Sequence, residues 1–253
     1  MLEALQLTCQ RGARVIFSDI SLRIDAGEVI AVLGTNGSGK STLLATLAGE
    51  LPAAAGSVCI DGRPLASLTP AERARRLAVL PQASALAFAF AVEDVVMLGR
   101  LPHLGGAVRD RQIVERAMSE ADVLHLVGRN YLELSGGERQ RVHLARVLAQ
   151  IGDTPQPILL MDEPTAGLDI AHQQLAMESA KRVASRGGSV LVAVHDLNLA
   201  ARYADRMVLL HEGVVAGLGA PWQIIQPELI EQVFGVQVQV INHPQWNCPL
   251  IVM

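Results

Sequence analysis

The chain has 253 residues, half of them apolar, enough to bury one sizeable core or two small ones. Aromatics make up only 3%, so Ala, Leu and Val carry the hydrophobicity. The formal net charge of −4 excludes the basic face that a nucleic-acid binder needs, and no nucleic-acid partner is expected.

The N-terminus, Met1-Leu-Glu-Ala-Leu-Gln6, lacks the basic segment and apolar run of a signal peptide. Residues 4–9, 15–17 and 21–24 read as short strands, and with 57–60 they form a small antiparallel sheet. Gly27-Glu28 turns the chain into residues 29–33, a continuous apolar run with the pattern of a buried parallel strand. A glycine-rich loop follows, and then a helix over 41–50 that ends at Gly49–Pro52. Leu77–Leu80 is another short buried strand, closed by Pro81-Gln82.

From residue 83 to about 150 the pattern turns helical, with three-and-four spacing over 110–127 and 138–151. This stretch interrupts the α/β order and reads as an insert. Apolar strands return at 158–161 and 189–194. Asp196 is placed to cap a helix over Leu197–Tyr203, and 206–210 with 214–216 suggest a hairpin around Glu212-Gly213. The tail over 232–253 is uncharged but holds Gln, Asn and Pro. It alternates at Val236, Val238 and Val240, which is strand-like and unlike a lipid-facing span. The run 77–92, also uncharged, is interrupted by Pro81 and Gln82, so no transmembrane helix is expected. Cys9, Cys59 and Cys248 are scattered without a CxxC pair, which offers no zinc or redox centre and suits a reduced cytosolic compartment. The expected fold class is α/β, with a mainly parallel sheet covered on both faces.

Chemistry concentrates in a few places. Gly34-Thr35-Asn36-Gly37-Ser38-Gly39-Lys40-Ser41 fits G-x-x-x-x-G-K-[ST], between a buried strand and a helix. Glycines let backbone N–H groups approach phosphate oxygens, and the helix start, with Thr42 in its first turn, adds a favourable dipole. Lys40 would bridge phosphates and Ser41 would ligate Mg²⁺. An ordinary glycine turn is the bland alternative, but strand, loop and helix all agree with nucleotide binding. Asp162 and Glu163 end the apolar strand at 158–161, at the sheet edge where open α/β folds bind ligands. Asp162 would join the Mg²⁺ shell, and Glu163 would orient or deprotonate the attacking water. In isolation the pair would read as a solvated strand end.

The phosphate loop, Gln82, Leu134-Ser-Gly-Gly-Glu-Arg-Gln140, Met161-Asp-Glu-Pro164, Ala166-Gly-Leu-Asp169 and His195 occur in this order over nearly the whole chain. Together they resemble the ATP-binding subunits of ABC transporters, and the Leu-Ser-Gly-Gly-Glu element is highly specific to that family. The resemblance implies a RecA-like P-loop NTPase core at about 1–82 and 151–253 with an antiparallel β subdomain. A helical subdomain at about 83–150 completes a single ATPase domain over residues 1–253. It implies ATP and Mg²⁺ as cofactors, and a head-to-tail homodimer that sandwiches two ATP molecules. Ser135 and Gly137 of one copy would contact the γ-phosphate held by the other, with Gly136 between them counted in the same nucleotide site. The same Ser135-x-x-Glu138 also reads as a helix capping box, and both readings can hold.

By the same resemblance His195 contacts the γ-phosphate and holds the water with Glu163, Gln82 senses Mg²⁺ and water, and Asp169 lies at the dimer seam. A lone His at a strand end would otherwise be structural. Two positions depart from the family pattern. Arg11 stands where an aromatic commonly stacks on adenine, and a guanidinium can also stack on a base. Thr35 stands where Pro is frequent.

Leu86-Ala-Phe-Ala-Phe-Ala-Val92, Glu93-Asp-Val-Val-Met-Leu-Gly-Arg100, Asp169-Ile-Ala-His-Gln-Gln174 and Ala201-Arg-Tyr-Ala-Asp205 resemble the ATPases of haem importers. Ferric-siderophore and cobalamin importers share most of this layout. The resemblance implies two transmembrane permease subunits and a periplasmic or surface substrate-binding protein acting through them. It implies a peripheral location on the cytoplasmic face of the inner membrane. The Phe88/Phe90 segment either lines the groove that receives a permease helix or belongs to the core of the insert. Ribosome-acting relatives usually join two ATPase units, and this chain has one phosphate loop. A DNA-repair ATPase needs a long coiled coil, and the 92 residues between Ser41 and Leu134 lack heptads.

Overall fold

Strands β1 (Leu2–Arg11) and β2 (Arg14–Ile24) open the chain and pair antiparallel. The structure, a computed structural model, describes residues 1–83, 86–103 and 105–252. The helical reading at positions 84, 85 and 104, and the last position of the tail, lie outside the described residues. In chain order there follow β3 (Val29–Gly34), α1 (Lys40–Leu47), β4 (Ala55–Ile60), β5 (Arg63–Pro64), α2 (Pro70–Arg76), β6 (Leu77–Leu80) and α3 (Val92–Met97). Helices α4 (Ala107–Glu120) and α5 (Gly136–Ile151) lead to β7 (Ile158–Asp162), α6 (Ile170–Ser185), β8 (Ser189–Ala193) and α7 (Leu197–Tyr203). The chain closes with β9 (Arg206–His211), β10 (Val214–Gly219), α8 (Pro221–Ile224), α9 (Pro227–Phe234), β11 (Gln239–Asn242) and β12 (Pro249–Val252).

The sequence pattern suggests two short strands at 15–17 and 21–24, but the chain makes one, β2. Alternation changes phase within it: Phe17 is buried at an odd position, and Ile20, Leu22 and Ile24 at even ones. Asp19, at φ 54°, supplies the odd residue that keeps all four on one face. Gln6, at φ 48°, does the same in β1 between Leu2/Ala4 and Leu7/Cys9, where the register shifts. The small sheet has the order β2-β1-β4-β5.

The large sheet has the order β10-β9-β3-β8-β7-β6, parallel except for the edge strand β10. Every residue of β3, β7 and β8 is buried, as expected for strands covered on both faces. Ile30 and Val32 face a core shared with α1 and the small sheet, whereas Val29, Ala31 and Leu33 face the core that holds α3 to α7. Pairing of β3 with β8 and of β7 with β8 brings the C-terminal ends of these strands to one edge.

Two further expectations need correction. The helix expected over 110–127 ends at Glu120, because Asp122 turns left-handed (φ 54°) and a short 3₁₀ turn at Leu124–Leu126 follows. The strand-like tail begins instead with α9, which Gly235 closes at φ 71°, and only then forms the hairpin β11–β12. Phe88 and Phe90 are 71% and 37% exposed and meet edge-to-face with centroids 6.3 Å apart, so they are not in the core. Arg100, its side chain 2% exposed, bonds Asp110, Asp153 and the Ala149 carbonyl at 2.8–2.9 Å, locking the start of α4 to the end of α5. Among the described residues, no helix is long and apolar enough to cross a membrane.

Candidate active site

The phosphate loop begins where β3 ends, at Gly34. A Cβ there would lie 2.2 Å from the Leu210 carbonyl oxygen, and φ is 147°, so only glycine can occupy this corner. Gly39, left-handed at φ 104°, starts α1 with no side-chain cap, which leaves the helix start directed at the loop. Lys40 curls back over the loop, its Nζ donating to the carbonyls of Gly34 (2.9 Å) and Thr35 (3.2 Å). Burial pushes the Lys40 pKa below its ordinary value, opposed by the carboxylates of Glu163 and Asp162. Among the described residues, Ser38 Oγ is buried in the loop with no hydrogen-bond partner.

Strand β7 delivers the acidic pair. Ser41 Oγ donates to Asp162 Oδ1 at 3.1 Å. Burial pushes the Asp162 pKa up and the neighbouring Glu163 charge adds to this, against the Ser41 hydrogen bond and the Lys40 charge. Glu163 leaves the strand in a left-handed conformation (φ 49°), with its N–H bonded to the Ala193 carbonyl at 3.0 Å. Its carboxylate accepts from Gln82 Nε2 at 2.7 Å and contacts His195 Nε2. Gln82 stands two residues beyond β6, and His195 two beyond β8. The ends of three adjacent strands thus converge on one carboxylate.

An open cleft of about 530 Å³ runs from Gln82, Glu163 and His195 past Asn36, Gly37 and Gly39–Thr42 to Arg11, whereas Gly34, Thr35, Ser38 and Asp162 do not line it. Arg14 and Ile16 line it too, and sequence reasoning missed both. Arg14 is the register partner of Arg11 across the β1–β2 turn, and that pairing is the signal that points to it.

Ser135, Gly136, Gly137 and Asp169 do not line this cleft. Ser135 caps α5 in a complete capping box: its Oγ accepts from the Glu138 N–H at 3.3 Å, and its N–H donates to Glu138 Oε2 at 2.8 Å. A side chain at Gly136 would meet nothing within 4 Å, whereas one at Gly137 would touch Leu168 at 3.4 Å. The Ser-Gly-Gly turn therefore lies against the segment that ends at Asp169. Asp169 caps α6, accepting from the His172 N–H (2.9 Å) and bonding His172 Nδ1 (2.8 Å), and these two contacts lower its pKa.

Residues 17–166 match the family model described as ABC transporter. The hemin import ATP-binding protein HmuV of Pseudomonas fluorescens strain Pf-5 is 54% identical over 253 residues, covering all of this chain and 99% of that one. The protein of the same name from Pseudomonas aeruginosa PAO1 is 52% identical with the same coverage. That from Myxococcus xanthus DK1622 is 49% identical over 99% of this chain and 96% of its own. Among solved structures, an ATP binding subunit of an ABC transporter has a TM-score of 0.79 at 25% identity, covering 94% of each chain. A dimeric bacterial ABC transporter cassette has a TM-score of 0.76 at 26% identity, over 87% of this chain and 98% of that one. A family model spanning more than half of the sequence, and relatives near half identical along its whole length, leave one assignment: the chain belongs to the ABC transporter family.

Proposed function

We propose that this chain is the ATP-binding and ATP-hydrolysing subunit of a haem (hemin) importer. It works as a homodimer beneath two transmembrane permease subunits, peripheral on the cytoplasmic face of the inner membrane, with a substrate-binding protein acting from the other side. Full-length identity of about half to hemin import ATP-binding proteins supports the cargo. The single observation that carries the chemistry is Glu163, held between Gln82 and His195 beside the Ser41–Asp162 pair.

The loop from Gly34 to Thr42 holds the β- and γ-phosphates. Lys40 exchanges the carbonyls it now touches for phosphate oxygens, and Ser38 Oγ gains the partner it lacks. Ser41, Asp162 and Gln82 present hard oxygen donors that suit Mg²⁺, which supplies charge neutralisation across the phosphates when bound. Glu163 accepts a proton from the water as its oxygen bonds to the γ-phosphorus and the bond to the departing ADP oxygen breaks. His195 and Gln82 keep that carboxylate aimed. Arg11, with Arg14 and Ile16, faces the base end of the cleft.

Ser135, Gly136 and Gly137 do not line their own cleft, and each site is completed by the second copy, with Asp169 at the seam. The core (about 1–82 and 151–253) and the helical part (about 83–150) act as the two subdomains of this one ATPase domain. The exposed Phe88 and Phe90 form an apolar face for a permease helix. The test is reconstitution with the co-purifying permease and ATP-dependent uptake of haem, a ferric siderophore and cobalamin in parallel. Haem alone should accumulate, and uptake of either other cargo without haem would overturn the cargo assignment.

A further inference from the structure

His195 stands between β8 and Asp196, the residue that caps α7 by accepting from the Leu199 N–H at 2.9 Å. Helix α7 has only seven residues, too short to hold its own position, so what grips it decides where His195 points. The C-terminal hairpin grips it at two points one turn apart. Asn198 Nδ2 donates to the Ile251 carbonyl at 3.1 Å, and the Ile251 N–H donates back to Asn198 Oδ1 at 2.8 Å. The Asn198 amide thus pairs with β12 as a neighbouring strand would. Four residues on, the Arg202 guanidinium lies 3.6 Å from the centroid of the Trp246 ring, which packs in turn against His243 at a 44° tilt with centroids 4.1 Å apart. Cys248 and Ile251 are buried in the same main core as Ala200 and Ala201. None of Asn198, Arg202 or Trp246 lines the phosphate cleft.

We propose that the C-terminal hairpin is a positioning clamp: Asn198 and Trp246, acting through α7, hold His195 against Glu163. The inference rests on the reading of Glu163 and His195 as the groups that handle the attacking water. Asn198 and Trp246 are positioning residues, since neither touches the nucleotide cleft. A displacement of about 1 Å at a reacting group is enough to cost about a hundredfold in rate. Loosening the clamp therefore acts on the chemical step and leaves the cradle around Lys40 unchanged.

The test uses the full-length chain and its variants Asn198→Ala, Trp246→Ala and Trp246→Tyr, with ATP turnover followed across ATP concentration and thermal unfolding measured alongside. Both alanine variants should lose at least about tenfold in kcat while KM for ATP stays within about twofold. Trp246→Tyr keeps a ring under Arg202 and should restore most of the rate, a rescue that a general loss of folding would not give. A folded Trp246→Ala with kcat within about twofold of wild type would overturn the clamp. So would a loss shared equally by kcat and KM, or one that tyrosine does not relieve. Should Asn198→Ala fail to fold, the pair of substitutions at the solvent-facing Trp246 decides alone. A wild-type chain without any turnover would sink the ATPase reading itself, and the clamp with it.

Discussion

Ser41 and Asp162 lie 121 residues apart in the chain and meet through a 3.1 Å hydrogen bond at the mouth of the phosphate loop. That contact is made at a cost. Burial, reinforced by Glu163, raises the Asp162 pKa above its ordinary 3.8. A carboxyl group whose pKa is higher in the folded protein than in the unfolded chain contributes most to stability when protonated. That contribution is full below 3.8 and is lost as pH rises through the folded value. At neutral pH the ionised Asp162 therefore weakens the nucleotide-free protein. Asp162→Asn, which keeps an oxygen for Ser41, should raise the nucleotide-free Tm at pH 7 by a few degrees, and the gain should shrink as pH falls toward the ordinary carboxylate range. The same substitution should abolish turnover, as expected where an active site trades stability for function. A Tm that is unchanged at neutral pH would contradict the burial argument.

Glu163 receives Gln82 on one oxygen and His195 on the other. Glu163→Gln preserves the shape and removes the ability to take a proton. Turnover should fall about 100- to 10,000-fold, the usual worth of a general base. ATP binding, measured at equilibrium, should stay within about threefold, because Lys40 and the loop are untouched. Near-normal turnover would remove Glu163 from the role of base.

Ser135 spends its hydroxyl locally, accepting from the Glu138 N–H and donating to Glu138 Oε2 at 2.7 Å. Ser135→Ala should therefore cost about 1 kcal/mol of stability through the lost cap, read as a lowered Tm. Ser135→Arg tests the role in trans: hydrolysis should vanish while the isolated monomer still binds ATP. Wild-type turnover per chain should also climb with protein concentration until dimers saturate. Loss of monomer binding in Ser135→Arg, or turnover independent of dilution, would place the serine in its own chain's site.

The legible parts of this molecule are those whose signal is local. Leu77–Leu80 and Leu197–Tyr203 occupy the spans that apolar runs and the Asp196 cap indicate. The candidate site was legible because its residues lie at strand ends, within two residues of them, or at a helix start, so punctuation and chemistry coincide at Gly34, Asp162 and His195. What stayed hidden depends on backbone phase or on distant pairing. The left-handed Asp19 shifts the alternation by one, which makes the continuous β2 look like two strands. Asp122 stops a helix whose three-and-four spacing runs on to Val127. Arg14 enters the cleft only through its register with Arg11, and Asn198 meets Ile251 across 53 residues. Neither relationship leaves a periodic trace.

Arg11 and Arg14 face each other across the β1–β2 turn and line the far end of the cleft with Ile16. A guanidinium over a base is worth roughly 0.5–1 kcal/mol at an exposed site, so Arg11→Ala should raise KM for ATP by about two- to fivefold. Because ground state and transition state would lose the same contact, kcat should hold. Arg11→Tyr keeps a stacking surface without the charge and should return KM to near the wild-type value. Salt separates the two contributions. The part that comes from the arginine charge is screened as ionic strength rises, so the gap between wild type and Arg11→Ala should narrow at high salt. The Arg11→Tyr enzyme, binding through its ring face, should keep its KM over the same range. An Arg11→Ala enzyme with unaltered KM at low salt would place the base elsewhere along the cleft, with Arg14 and Ile16 the next residues to replace.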